Sequence, residues 1–128
     1  MSECVLDASA LLAVMLGEPG AEKVIPLLAG AEIGAVNLAE VVAKLQERGV
    51  PDAEIERDIA DLDLPVPAFD AAQAMAVGKL RNRTRSLGLS LGDRACLALA
   101  IARGLPAVTM DRAWSALDIG AEVIVARD

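Results

Sequence analysis

The 128-residue chain has no histidine and no tyrosine, and only one phenylalanine, one tryptophan and two cysteines. Without histidine, the usual general base and the commonest zinc ligand are both missing. Any catalysis must therefore rest mainly on carboxylates, with or without a metal. Oxygen-only ligands favour Mg²⁺ or Mn²⁺ over zinc. So few aromatics leave little for recognition through stacked bases, and shape and phosphate contacts would have to do more. Cys4 and Cys96 are too few for a disulfide framework and sit in apolar runs as small hydrophobes. The longest apolar runs, residues 10–16 and 95–102, fall far short of the ~18 or more residues a membrane span needs. No basic region followed by an apolar stretch opens the chain, so no signal peptide is expected. A cytoplasmic protein without membrane attachment is the expectation. Positive charge is also in deficit. A net charge of −7 opposes non-specific binding to nucleic acid, so such a function would need a local basic patch and a neutralising cation.

Apolar residues are abundant at 55%, which argues against disorder. The length fits a single domain, residues 1–128, able to bury a core. Cys4, Val5 and Leu6 form a short apolar strand of the kind covered on both faces. Asp7 ends it, and an apolar helix follows to Leu16. Gly17-Glu18-Pro19-Gly20 reads as a turn, and residues 21–28 as a helix. Residues 33–36 read as a second strand. Asn37 then opens a helix with Leu38, Val41, Val42 and Leu45 at i, i+3, i+4 and i+7. Asp52–Leu62 is another helix, striped by Ile55, Ile59 and Leu62. Residues 64–67 make at best an edge strand, since prolines cannot donate to a ladder. Residues 70–87 form the longest helical stretch. Residues 90–103 form a helix whose apolar middle requires a central, buried place. Residues 106–109 and 122–125 are strands, with Asp111 and a short helical turn around Trp114 between them. Strands alternating with helices indicate a parallel α/β sandwich.

In such a sheet, Asp7, Asp111 and Glu40 all fall at the carboxyl edge, where sites are built. Asp93 opens the central helix, whose amino end can face the same edge. Four carboxylates brought together would repel one another and be driven to take up protons. A divalent cation removes that penalty. Each acid also has an ordinary explanation. Asp7 or Ser9 suits a helix cap, and Asn37-x-x-Glu40 and Ser90-x-x-Asp93 have approximate capping-box spacing. Glu40 stands four residues before Lys44, and Asp111 suits the start of a turn. Their joint placement is what favours a site.

The segments Val5-Leu6-Asp7-Ala8-Ser9-Ala10-Leu11-Leu12, Asn37-Leu38-Ala39-Glu40-Val41, Leu89-Ser90-Leu91-Gly92-Asp93-Arg94-Ala95-Cys96 and Val108-Thr109-Met110-Asp111-Arg112-Ala113-Trp114 resemble, in order, the motifs of PIN-domain proteins. Within that superfamily they look most like the VapC toxins of bacterial toxin–antitoxin pairs. The resemblance runs nearly end to end, and Ser-Leu-Gly-Asp-Arg is its most specific block. It implies a PIN-like three-layer α/β sandwich with a central, mainly parallel sheet. It implies a Mg²⁺- or Mn²⁺-dependent endoribonuclease, with Asp7 and Asp93 as metal ligands. Glu40 and Asp111 would complete the catalytic pocket, and Ser9 and Thr109 would support it. The chemistry is consistent. A divalent ion lowers the pKa of water and stabilises charge on the phosphate, so no histidine is needed. The resemblance also implies an RNA substrate, an antitoxin partner and a homodimer.

Lys79, Arg81, Arg83 and Arg85 precede the Asp93 block and suit phosphate contacts, although cations at a helix end also suit its dipole. Arg94 and Arg112, each directly after an acid, could contact RNA or pair with neighbouring carboxylates. Rival readings are a non-toxin PIN nuclease of RNA processing and an inactive PIN-fold binding module. An aspartyl phosphotransfer enzyme is more distant, because Ser9 stands where its second aspartate usually falls.

Overall fold

The computed structural model describes residues 1–128. Four short parallel strands form one sheet in the order β2-β1-β3-β4. They are β1 (Cys4–Leu6), β2 (Ala31–Glu32), β3 (Ala107–Thr109) and β4 (Val123–Val125). Six α-helices accompany them: α1 (Ala8–Leu16), α2 (Ala21–Val24), α3 (Ala35–Glu47), α4 (Asp52–Leu62), α5 (Ala71–Arg83) and α6 (Leu91–Arg103). This is the expected α/β sandwich, and every strand pairing in it is parallel.

Side chains alternate across β1 because successive Cβ atoms point to opposite faces. Cys4 and Leu6 enter one core with Leu11, Val24, Val41, Leu45 and Ile55. Val5 enters the other with Val77, Leu80, Trp114 and the buried face of α6. Val108 and Ala107 of β3 divide in the same way. The sheet is thus sealed on both faces by separate apolar clusters. Residues 95–100 of α6 are buried, as the apolar run requires, although Ile101 and Ala102 emerge into solvent.

Several boundaries differ from expectation. The second strand is Ala31–Glu32 rather than residues 33–36. Glu32 is a charged residue within it, buried to 2% exposure and 3.3 Å from Arg103 Nε. α3 begins at Ala35, two residues before Asn37. The helix after residue 20 stops at Val24 and tightens into a 3-10 turn over Ile25–Gly30, where Pro26 lacks the N–H that an α-helix would use. Residues 70–87 divide into α5 and a 3-10 turn over Arg85–Leu87, so α5 is no longer than α3 or α6. The proline segment forms no strand but does flank the sheet edge. The Pro65 and Pro67 carbonyls accept from the Ile33 and Ala35 N–H groups, both at 3.1 Å.

Candidate active site at the carboxyl edge

The chain leaves β1 toward β2 on one side and returns to β3 on the other. The sheet therefore has its switch point between the carboxyl ends of β1 and β3, where open α/β sheets leave a crevice. Asp7 follows β1 there and Thr109 ends β3. Asp7 holds the N-cap place of α1 but makes no side-chain cap bond. Its Oδ2 accepts instead from the Ser9 hydroxyl at 2.8 Å and from the Thr109 hydroxyl at 3.0 Å. The two hydroxyls are fixed in turn, since Ser9 Oγ accepts from the Met110 N–H and Thr109 Oγ1 from the Asp111 N–H. Ser9 and Thr109 thus bind the β1 and β3 ends together through one carboxylate.

Asp93 reaches this edge from the first turn of α6. The capping box is formed: Asp93 N–H donates to Ser90 Oγ, and Ser90 N–H donates to Asp93 Oδ2 at 3.0 Å. The cap consumes one carboxylate oxygen, and Oδ1 accepts no hydrogen bond. Capping and site placement are therefore compatible at this residue.

Glu40 arrives differently from expectation. It lies in the second turn of α3, and no Asn37–Glu40 capping box exists, because the helix already starts at Ala35. Asn37 is buried inside the helix, and its Nδ2 donates to Glu40 Oε1 at 3.0 Å and to the Gly92 carbonyl at 2.9 Å. One amide thus ties α3 to the first turn of α6 and aims Glu40. Gly92 makes the approach possible, since a Cβ there would lie 2.2 Å from Glu40 Oε2. Glu40 does not pair with Lys44, which bridges to Glu47 at 3.3 Å instead. Asn37 and Gly92 are the site-forming residues that spacing alone did not distinguish. The signal available was the glycine directly before Asp93.

The electrostatics show which acids interact. Burial is the main cause that raises Asp7 above the usual carboxylate range; the Ser9 and Thr109 hydroxyls oppose it, and Asp93 adds to it. Glu40 is also raised, first by burial and then, against the Asn37 bond, by Asp7 and Asp93. Asp111 stands one step away. It is exposed, its Oδ1 accepts from the Ala113 N–H as a cap, and it is tied to Asp7 only through Thr109. No salt bridge of the chain involves any of these four acids.

The basic candidates separate. Arg81 and Arg85 line a small cleft of about 170 Å³ with Thr84, Gly88 and Leu89, just before the Asp93 turn. Lys79 and Arg83 are exposed and outside it. Arg112 lies in an open recess with Ser9 and Asp111. Arg94 does not suit RNA contact. It is 9% exposed, and its guanidinium donates to the Val77 carbonyl at 3.1 Å, fastening α6 to α5.

A parallel α/β sheet with carboxylates from β1, α3, α6 and the end of β3 at its switch point defines a class of acid-centred sites. The PIN domain profile matches residues 4–120, and the chain belongs to the PIN domain family. No curated protein matches it by sequence. Similar solved structures share the fold across nearly their whole length. One is a toxin–antitoxin complex from Klebsiella pneumoniae, with 17% identity, TM-score 0.75, and coverage of 98% of this chain and 99% of that one. Another is VapC20 of Mycobacterium tuberculosis, a sarcin-ricin loop cleaving toxin, with 18% identity, TM-score 0.74 and coverage of 94% and 99%. A third is VapBC2 of Rickettsia felis bound to a DNA fragment from its promoter, with 17% identity, TM-score 0.73 and coverage of 94% and 96%.

Proposed function

We propose that the chain is a divalent-metal-dependent endoribonuclease and the toxin of a toxin–antitoxin pair. The observation that supports this reading is electrostatic: across one sheet edge Asp93 helps to raise Asp7, and Asp7 and Asp93 help to raise Glu40, while none of the three enters a salt bridge. Similarity to toxins of that kind supports it.

The donor set suits a hard cation. No three acidic or thiol groups stand close enough to enclose an ion by themselves. An ion held here would therefore have to keep several waters and take only one or two carboxylates, as Mg²⁺ can. Asp7 and Asp93 are the ligands in this reading, with Glu40 and Asp111 acting directly or through water. When bound, the ion supplies an activated water and charge stabilisation at the phosphate. The protein supplies the frame. Ser9 and Thr109 hold one oxygen of Asp7, the α6 cap holds one oxygen of Asp93, and Asn37 holds Glu40. Glu40, its carboxyl raised above the usual range where it packs against Gly92, is suited to hold or accept a proton beside the phosphate. Arg81, Arg85 and Arg112 would contact backbone phosphates.

The partner in this reading is an antitoxin, as in the toxin–antitoxin complexes of similar fold. An apolar groove between α3 and α4, lined by Leu38, Val42, Ile55 and Ile59, offers it a surface. The same reading includes a homodimer.

The experiment is cleavage of a mixed RNA pool by wild type and Asp93→Asn, with Mn²⁺ and with EDTA. Cleavage should require the metal and fall about a hundredfold or more in the variant. Near-full cleavage by a well-folded Asp93→Asn would remove the proposed site. Metal binding absent from the wild type would favour the binding-module reading.

A further inference from the structure

Beside the acids lies a cleft of about 360 Å³ between α1 and the carboxyl end of α3. Leu12, Leu16 and Met110 give it an apolar floor, and Lys44, Arg48 and Arg127 bring three cations to its rim. In a chain of net charge −7 this is a local reversal of sign. Glu18 also lines it, and Lys44 shares its charge with Glu47. Arg48 and Arg127 enter no salt bridge. Arg127 makes only a long bond, 3.5 Å, to the Met110 carbonyl.

The cleft adjoins the acidic site through Ser9, which lines the cleft while donating to Asp7. Ser9, Met110 and Arg127 also line the recess that holds Asp111 and Arg112. Ser9 is therefore shared by the cleft and the acidic site, so a strand crossing the acids can continue past Ser9 toward Arg48 and Arg127.

We propose that this cleft binds the nucleotide adjoining the scissile phosphate of a single-stranded RNA, which makes Arg48 and Arg127 substrate-positioning residues. The proposal rests on the nuclease reading above. The cleft volume lies near the lower end of the range for small-ligand pockets, about 300–1,000 Å³, which leaves room for a single nucleotide. An apolar floor takes a base only when that base is unpaired and splayed out, as in single-stranded loops. The two free guanidiniums suit the phosphate, which they can grip with paired donors. An acidic peptide would satisfy the same cations, but continuity with the carboxylates favours a phosphodiester chain.

The test compares wild type, the double variant Arg48→Ala/Arg127→Ala, and Arg57→Ala. Arg57 is exposed on α4 beside Glu54 and outside the cleft. Binding of a fluorescent single-stranded RNA of random sequence is followed by anisotropy in Ca²⁺ over a range of salt, and cleavage is followed separately in Mn²⁺. The double variant should bind about tenfold more weakly, and its log–log salt slope should flatten by about 1.4, two phosphates at roughly 0.7 each for a single strand. KM should rise with kcat unchanged, and Arg57→Ala should match wild type. Wild-type affinity and slope in the double variant would overturn the proposal while leaving the nuclease reading intact. Binding that depends on Arg48 and Arg127 in a protein that cleaves nothing would sink the nuclease reading and keep the cleft as an RNA site. Failure of wild type to bind RNA, with capture of polyglutamate lost in the double variant, would assign the cleft to an acidic peptide.

Discussion

A single methyl group would separate Glu40 from the first turn of α6. A Cβ on Gly92 would stand 2.2–2.4 Å from the Glu40 carboxylate atoms. The carboxylate is the far end of a flexible side chain and can swing away. Alanine is also the better helix former, by about 0.5–1 kcal/mol. Gly92→Ala should therefore melt at or slightly above the wild-type temperature while cleavage falls about tenfold or more. Wild-type cleavage in that variant would show that Glu40 need not lie against Gly92. At this scale Asp7, Ser9, Asp93 and Thr109 could be named from the sequence only by their joint placement, because each has an ordinary cap or strand-end explanation of its own. Asn37 could not, because an asparagine three residues before a glutamate looks the same whether it caps a helix or lies within one. Arg94 was misjudged because an arginine next to a site acid suggests substrate, whereas its helical position turns it toward α5. Cys96 is the small hydrophobe expected; burial, then Asp7, Asp93 and Glu40, push its thiol well above the usual range.

The element that matters most is the first turn of α6. Ser90 both starts the helix and fixes Asp93, so one residue links helix stability to the site. Loss of an N-cap hydroxyl costs about 1 kcal/mol. Ser90→Ala should lower the melting temperature by about 4 °C and weaken Mn²⁺ binding roughly tenfold, measured by calorimetry. A lower melting temperature with unchanged metal affinity would mean that the cap does not orient Asp93. Elements with their own punctuation were readable in advance. α4 matches its apolar stripe, and α6 begins at its cap and ends at Gly104 in the left-handed conformation. β2 was misplaced because Glu32 looks like a solvent residue. Arg103, distant in sequence, supplies its partner at 3.3 Å.

For the molecule as a whole, the acidic edge sets a pH dependence, and in the proposed reading a metal dependence as well. Asp7 and Glu40 are both raised, so over the interval between ordinary and raised pKa the folded chain holds protons that the unfolded chain has released. This contribution to stability is present in acid and is lost as pH climbs from the ordinary carboxylate range through the raised values. In EDTA, wild type should lose stability over that interval more than Asp7→Asn does. The amide oxygen of the variant can still accept from Ser9 and Thr109. A divalent ion at about 100 times its Kd should restore about 2.7 kcal/mol to wild type and little to the variant. Scanning calorimetry across pH, with and without Mg²⁺, decides this. Identical pH profiles for the two proteins would remove Asp7 as the source.

The sequence by itself determined the alternation of strands and helices, the two-sided burial of β1 and α6, and the arrival of Asp7, Asp93 and Asp111 at strand and helix ends. These follow from periodicity and capping, which act between near neighbours along the chain. Only the tertiary structure decided how the acids meet. Thr109 reaches Asp7 across 102 positions, and Asn37 reaches the Gly92 carbonyl across 55. It also gathered Lys44, Arg48 and Arg127 around one cleft, although nothing in their spacing marks them as neighbours. Such contacts depend on the order in which parallel strands join the sheet and on which helix faces then touch, and no local pattern specifies either.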